Sequence, residues 1–126
     1  MQAPLFIAGQ WIETAQTAPV FNPATGDTLG TVSRADIDHL DQCLSAVRQG
    51  FEVWRRTPAH ERGQIMRKAC AIIRERATEI GTILSQEQGK PVPEATGEVR
   101  TSVDNLEWMA EEASRAYGRV LVPRTP

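Results

Sequence analysis

The side chains able to do chemistry are few and scattered. Cys43 and Cys70 each stand alone, with no C-x-x-C spacing and no paired histidine, so neither a disulfide framework nor a zinc site is indicated. Cys43 sits in the middle of a helical pattern, where a free cysteine acts as a small hydrophobe. Cys70 lies on an apolar stripe, with no local base or helix N-terminus to make it a thiolate, so both are expected to fill space. His39 and His60 fall on different predicted helices and read as solvent-facing or capping residues. Glu111 and Glu112 are adjacent on a helix and so point about 100° apart, which suits a shared acid–base role poorly. There is no G-x-G-x-x-G and no G-x-x-x-x-G-K-[ST], hence no phosphate-cradling loop. Trp11, Trp54 and Trp108 read as packing anchors between layers. From these residues alone no active site assembles.

Composition narrows the function classes. The chain has 126 residues, 40% of them hydrophobic, with 14 Lys and Arg against 16 Asp and Glu. That is one compact domain or a piece of a larger one, with enough apolar material for a core. A charge balance of −2 leaves no basic stripe for nucleic acid. The longest apolar run, Ala69 to Ile73, is far short of the ~20 residues a membrane span requires. The opening Met1-Gln2-Ala3-Pro4-Leu5 lacks the basic and apolar regions of a secretory leader, so the cytoplasm is the expected location.

The elements that must position these residues change character near Ser33. Before it, Leu5-Phe6-Ile7 and Gln10-Trp11-Ile12 predict a hairpin, with a bulged turn resting on Gly9 because Ala8 suits a positive φ badly. Pro19-Val20-Phe21 and Asp27 to Val32 predict a second pair around Asn22-Pro23-Ala24-Thr25-Gly26. From Ser33, whose spacing to Asp36 has the form of a capping box, the period becomes helical. Ile37, Leu40, Leu44, Val47, Phe51 and Trp54 form one stripe, expected to be buried, on a first helix ending before Thr57-Pro58. A second helix runs from Pro58 to Gly89, its stripe Met66, Cys70, Ile73, Ala77, Ile80 and Leu84. The third starts near Pro93-Glu94, carries Ala95, Val99, Leu106, Met109 or Ala110, and Ala113, and closes at Tyr117-Gly118. Arg119-Val120-Leu121-Val122 then reads as an edge strand, and its lack of a visible partner suggests a domain cut off.

Taken in order, several blocks resemble one family. Leu5-Phe6-Ile7-Ala8-Gly9-Gln10-Trp11 and Phe21-Asn22-Pro23-Ala24-Thr25-Gly26 are similar to the opening of NAD(P)-dependent aldehyde dehydrogenases. So are Phe51-Glu52-Val53-Trp54, Thr57-Pro58, Glu61-Arg62, Glu87-Gln88-Gly89-Lys90-Pro91 and Glu98-Val99. Glu107-Trp108-Met109-Ala110-Glu111-Glu112-Ala113 through Tyr117-Gly118-Arg119 most resembles the succinate-semialdehyde and ketoglutaric-semialdehyde branch. The resemblance implies an α/β parent fold, of which this chain is a mostly α, incomplete part: short N-terminal hairpins, three long helices and a C-terminal edge strand. It assigns 1–118 to the strands and helical layer of the cofactor-binding domain, and 119–126 to the start of an oligomerisation arm.

The family's members are several times longer, and their catalytic cysteine, general base and cofactor-cradling strands lie beyond residue 126. The resemblance therefore implies no catalytic and no cofactor-binding residue here, NAD or NADP for the parent enzyme, and no activity or bound cofactor for this chain alone. Two peripheral sites carry over. One is a monovalent-cation site at Val20, Phe21 and Glu87, where hard oxygen ligands suit such an ion. The other is the mouth of a substrate tunnel at Gly97, Thr101 and Trp108, with Arg100 as a natural bidentate partner for a semialdehyde's distal carboxylate. The expected partners are the remainder of the dehydrogenase and a second copy, meeting through 119–122 and the third helix. A non-catalytic helical binding or assembly module that kept the scaffold is the alternative.

Overall fold

A computed structural model describes residues 2–118. The expected arm strand, Arg119–Val122, lies outside them. Five short strands come first: β1 (Gln2–Ala3), β2 (Leu5–Ile7), β3 (Gln10–Ile12), β4 (Thr17–Phe21) and β5 (Thr28–Ser33). Four helices follow: α1 (Ile37–Arg56), α2 (Ala59–Glu75), α3 (Ala77–Gln88) and α4 (Val92–Glu112), the last running into a 3-10 turn, Ala113–Arg115. The mostly α fold with N-terminal hairpins is as expected. The helix count is not.

β2 and β3 pair antiparallel, Leu5 with Ile12, Phe6 with Trp11 and Ile7 with Gln10, leaving Ala8-Gly9 as a two-residue loop. Both loop residues have positive φ, Ala8 at 52° and Gly9 at 82°, which is the signature of a type I′ turn. The expected bulge is absent: the turn's match to strand twist outweighs the steric cost at Ala8. β4 and β5 form the second hairpin, with a register irregularity at Val20/Phe21, and β1 adds to β5 in parallel to give the order β1-β5-β4. Ser33 ends β5 buried, and its hydroxyl accepts from Gln2 Nε2 at 2.9 Å and from the Thr14 amide at 3.3 Å. It is thus a tie within the strand module and does not cap the helix.

The cap of α1 is Asp36, whose carboxylate accepts from the His39 amide at 3.0 Å while the His39 ring reaches back to Asp36. The capping box is one turn later than expected, with histidine in the place usual for glutamate. His39 is therefore the capping histidine foreseen, and His60 is exposed.

The second expected helix is two. Arg76, at φ −95° and ψ 10°, sits in the bridge region between them, and its side chain clasps Glu79 in the first turn of α3 by two bonds of 2.9 and 2.7 Å. No proline or glycine marks the break. The stripe from Met66 to Leu84 nevertheless continues across it, every member buried or half-buried. α3 ends where expected, at Gly89 in the left-handed region, its amide donating to the Ser85 carbonyl at 2.8 Å. α4 presents Ala95, Thr96, Val99, Val103 and Ala110 inward. Leu106 and Met109 face out, and Tyr117 lies beyond the helix end.

The core is the seam of α2, α3 and α4, with Cys70 and Val103 its largest fully enclosed side chains. Small residues allow the close crossings. A Cβ at Gly63 would come 2.8 Å from the Ala110 carbonyl oxygen, and one at Gly81 would meet Thr96. α2 and α4 are also joined by Arg74, which donates to both carboxylate oxygens of Glu107 (2.9 and 2.8 Å) and to Asp104 at 3.1 Å.

The stripe of α1 departs most from expectation. None of its six members is buried; Leu44 is 57% and Val47 67% exposed. Instead Gln42, Ser45, Ala46 and Gln49 share a cleft with Ile7, Ala8, Gln10 and Ile12 of the first hairpin, so α1 meets the rest of the chain through the opposite side. The tryptophans fare likewise: Trp11 is 71% and Trp108 65% exposed, and the Trp11 ring packs on Phe6, ring centres 4.6 Å apart. The physical reason is common to all: among the described residues no second layer covers these faces. No described helix is long and apolar enough to cross a membrane.

Candidate functional site

Two clusters gather the residues singled out from the sequence. The first lies between the three-stranded sheet and α3. β4 places Val20, and the last turn of α3 places Glu87, on the wall of one cleft of about 470 Å³ also lined by Ala3, Leu29, Ile83 and Gln86. The two segments meet because the Asn22–Gly26 turn abuts the α3 cap: a Cβ at Gly89 would lie 3.0 Å from Pro23 Cγ. That turn is held by Asn22, whose amide carbonyl accepts from the Ala24 amide at 2.9 Å and whose backbone exchanges bonds with Gly26 and Asp27. The structure thus brings Val20 and Glu87 to one site. Phe21, next along β4, is half exposed and does not line the cleft. Among the described residues no three His, Cys, Asp or Glu side chains converge, so any cation here would rest on backbone carbonyls with Glu87.

The second cluster is the outer face of α4. Gly97, Thr101 and Trp108 recur at helical spacing on the side away from the buried Val99 and Val103, and the exposed Arg100 stands at the border of that face, one turn from the buried Thr96. A Cβ at Gly97 would meet nothing within 4 Å, so the face is open there. Thr101 spends its hydroxyl on the Gly97 carbonyl at 3.1 Å. Arg100 makes no ion pair among the described residues, unlike Arg74, which is engaged by two carboxylates. Those bonds hold the Arg74 guanidinium charged beyond its ordinary range and draw the Glu107 carboxyl below its own, both chiefly through the shared hydrogen bonds.

Sequence reasoning missed Lys90. It reaches Glu98 on α4 from the loop after α3, and its carbonyl accepts from the Ser85 hydroxyl at 2.6 Å, so the Gly89-Lys90 segment is locked to both helices. The opposite charges at 90 and 98 were the available signal. Cys70 is enclosed, its sulfur 3.9 Å from the Val103 carbonyl, in keeping with core filling; Cys43 is half-buried on α1.

The residues present do not fit a dinucleotide. The one strand-to-helix turn among the described residues, β5 to α1, has its helix N-terminus already met by the Asp36 carboxylate, which would repel a pyrophosphate from those amides. Asp36 is accordingly held below the ordinary carboxylate range by the His39 amide.

A family model for the aldehyde dehydrogenase family matches residues 11–125. The chain belongs to that family. It is 41% identical over 124 residues to the 4-(hydroxymethyl)benzenesulfonate dehydrogenase TsaD1 of Comamonas testosteroni, covering 97% of this chain and 26% of that one. It is 35% identical over 116 residues to the mitochondrial succinate-semialdehyde dehydrogenase of Rattus norvegicus, covering 92% of this chain and 22% of that one. Among solved structures it matches the 1-pyrroline-5-carboxylate dehydrogenase from Thermus with bound NAD at a TM-score of 0.89 and 30% identity, covering 97% of this chain and 25% of that chain. The chain spans about a quarter of the length of the curated relatives it matches. The sequence blocks that carry the resemblance fall at the hairpin turns, the junction of α1 and α2, the α3 cap and along α4.

Proposed function

We propose that this chain is the N-terminal part of an NAD(P)-dependent enzyme that oxidises an aldehyde carrying a distal anion, such as succinate semialdehyde, to the carboxylic acid. The observation that carries the reading is Arg100: a guanidinium with no described ion-pair partner, on an open helix face beside Gly97, Thr101 and Trp108. The three relatives support it, since sulfonate, succinate and carboxylate all appear in their names. A guanidinium meets either oxyanion with paired N–H donors. In this reading 1–118 are the strands and helical layer of the cofactor-binding domain. Residues 119–126 begin an arm that, with α4, joins copies of the enzyme. Val20 and Glu87, which line one cleft, hold a monovalent cation that braces the Asn22–Gly26 turn against α3. Catalytic groups and nicotinamide site belong to the remainder of the polypeptide, and the chain alone turns nothing over.

The test exchanges this chain for the matching quarter of the rat succinate-semialdehyde dehydrogenase. The exchanged enzyme is expected to reduce NAD or NADP with succinate semialdehyde, whereas this chain alone gives no reduced cofactor above a blank. Arg100→Ala should raise KM for succinate semialdehyde about tenfold, the worth of one charge-assisted hydrogen bond, and leave KM for uncharged butanal nearly unchanged. Equal effects on both aldehydes would remove Arg100 from recognition, and turnover by the isolated chain would overturn the assignment of chemistry to the remainder.

A further inference from the structure

We infer that Asp36 and His39 form a proton-operated latch at the start of α1. With the ring neutral, His39 Nδ1 accepts from the Asp36 amide and closes the capping box. With the ring protonated, the same nitrogen donates to the Asp36 carboxylate and the amide is released. The inference is independent of the substrate reading.

One ring nitrogen has two partners that need opposite things of it. His39 Nδ1 lies 3.4 Å from the Asp36 amide nitrogen, a donor, and in contact with Asp36 Oδ1, an acceptor. A bare nitrogen serves only the first, and a protonated one only the second. Which partner holds the neutral ring follows from what else each has. Oδ1 already accepts from the His39 amide at 3.0 Å, whereas the Asp36 amide has no acceptor among the described residues except the ring. The neutral ring therefore keeps Nδ1 bare and its proton on Nε2. Protonation puts a hydrogen on both nitrogens, removes the lone pair that served the amide, and turns Nδ1–H to the carboxylate in a charge-assisted bond. Glutamate, the usual residue at this place in a capping box, remains an acceptor at every pH above its own titration near 4, while an imidazole changes charge between about pH 5 and 8. Histidine thus makes this cap answer to protons where a glutamate would not. The half-buried ring lines a cleft with Glu13, from the segment after β3, Arg34, from the segment after β5, and Asp36 itself, and Asp38 is its neighbour on α1. Carboxylates and guanidinium groups change charge outside the imidazole range, so the ring titrates against a fixed set of charges. The strand side of the joint stays tied, because the Arg34 amide donates to the Gln16 carbonyl at 2.8 Å, so the change falls on the first turn of α1.

The experiment is nuclear magnetic resonance on this chain between pH 5 and 8, reading the two ring nitrogens of His39 through long-range proton–nitrogen spectra and the exchange of the Asp36 amide with water. At pH 8 Nδ1 should be bare. As the ring takes up its proton, the Asp36 amide should lose protection about two- to tenfold, the worth of one hydrogen bond, after correction for the intrinsic pH dependence of exchange. His39→Gln supplies an acceptor at every pH, so its Asp36 amide should keep its protection throughout, with the helicity seen by circular dichroism unchanged. His60→Gln, at the exposed histidine of α2, should leave the response of the parent chain intact. A protonated Nδ1 at every pH overturns the latch, for the amide then never has the ring as its acceptor. So does an Asp36 amide whose protection follows no titration, or one that responds in His39→Gln as it does in the parent. The ring and amide readouts come from the unaltered chain and decide the point even where a variant fails to fold.

Discussion

Gly81→Ala places a methyl group where two helices cross. The added Cβ would lie 2.5 Å from Thr96 Oγ1 and 2.8 Å from both the amide nitrogen and Cα of Thr96. The hydroxyl could rotate away, but the backbone atoms cannot, so α3 and α4 must part by roughly 0.5–1 Å to restore ordinary contact, forfeiting a quarter to a half of the dispersion energy along the seam. Overpacking of this kind costs about 1–3 kcal/mol, and a clash with main chain belongs at the upper end. Alanine returns about 1 kcal/mol of helix propensity, leaving a net loss of ~2 kcal/mol. With a urea dependence of about 1–3 kcal/mol per molar, the midpoint should fall by roughly 1 M. Gly50→Ala is the matched control: it lies within α1, and its Cβ would meet nothing within 4 Å. Propensity alone acts there, so its midpoint should rise by the equivalent of about 0.5–1 kcal/mol. Urea unfolding followed by circular dichroism compares the two directly. If Gly81→Ala moved with Gly50→Ala, in direction and size, the close crossing of α3 and α4 would be refuted.

Val103→Ala, at a fully enclosed site, should cost about 2 kcal/mol in the isolated chain, whereas Leu44→Ala should stay within about ±0.5 kcal/mol; equal denaturant midpoints would contradict the burial described. Glu107 and Asp36 have carboxyls drawn below their ordinary values of 4.5 and 3.8 by Arg74 and by the His39 amide. A lowered folded-state pKa stabilises the fold above the ordinary value and is lost as pH falls through the lowered one. Acid unfolding should therefore begin below about pH 4.5, and Arg74→Ala and Asp36→Ala should each flatten the pH dependence there in parallel urea series. Asp36→Ala should in addition lower the helicity of α1 at neutral pH through the lost cap, while Ser33→Ala should leave it unchanged.

Where sequence and structure agree, the signal was local. The turn at Asn22–Gly26, the stop at Thr57, the left-handed Gly89 and the stripe from Met66 to Leu84 each depend on a few neighbouring residues whose conformational preferences are strong. The misses have other causes. Ala8 was read by its own preference, yet strand twist decided the turn. Arg76 breaks a helix without proline or glycine, through its clasp on Glu79, a contact that periodicity ignores. Periodicity found the stripe of α1 correctly and is silent about which side its partner occupies. The candidate site was legible in the same uneven way. Both sets of residues, Gly97, Arg100, Thr101 and Trp108 on one side and Val20, Phe21 and Glu87 on the other, were named by the resemblance alone; one helix suffices to bring the first set near one another, whereas the meeting of Val20 with Glu87 depends on a fold-level contact.

The contact between Pro23 and Gly89 also sets a clock on biosynthesis. The strand module is translated first, but the helix end it rests against follows 66 residues later, the separation of positions 23 and 89. At about 5–20 residues per second, the ribosome leaves that interval open for roughly 3–13 seconds. During it the second hairpin, with β4 at a sheet edge, lacks the end of α3 that its turn rests against. Nascent chains paused within α2 are thus the species a chaperone would meet, and codons that slow translation there would lengthen the exposure.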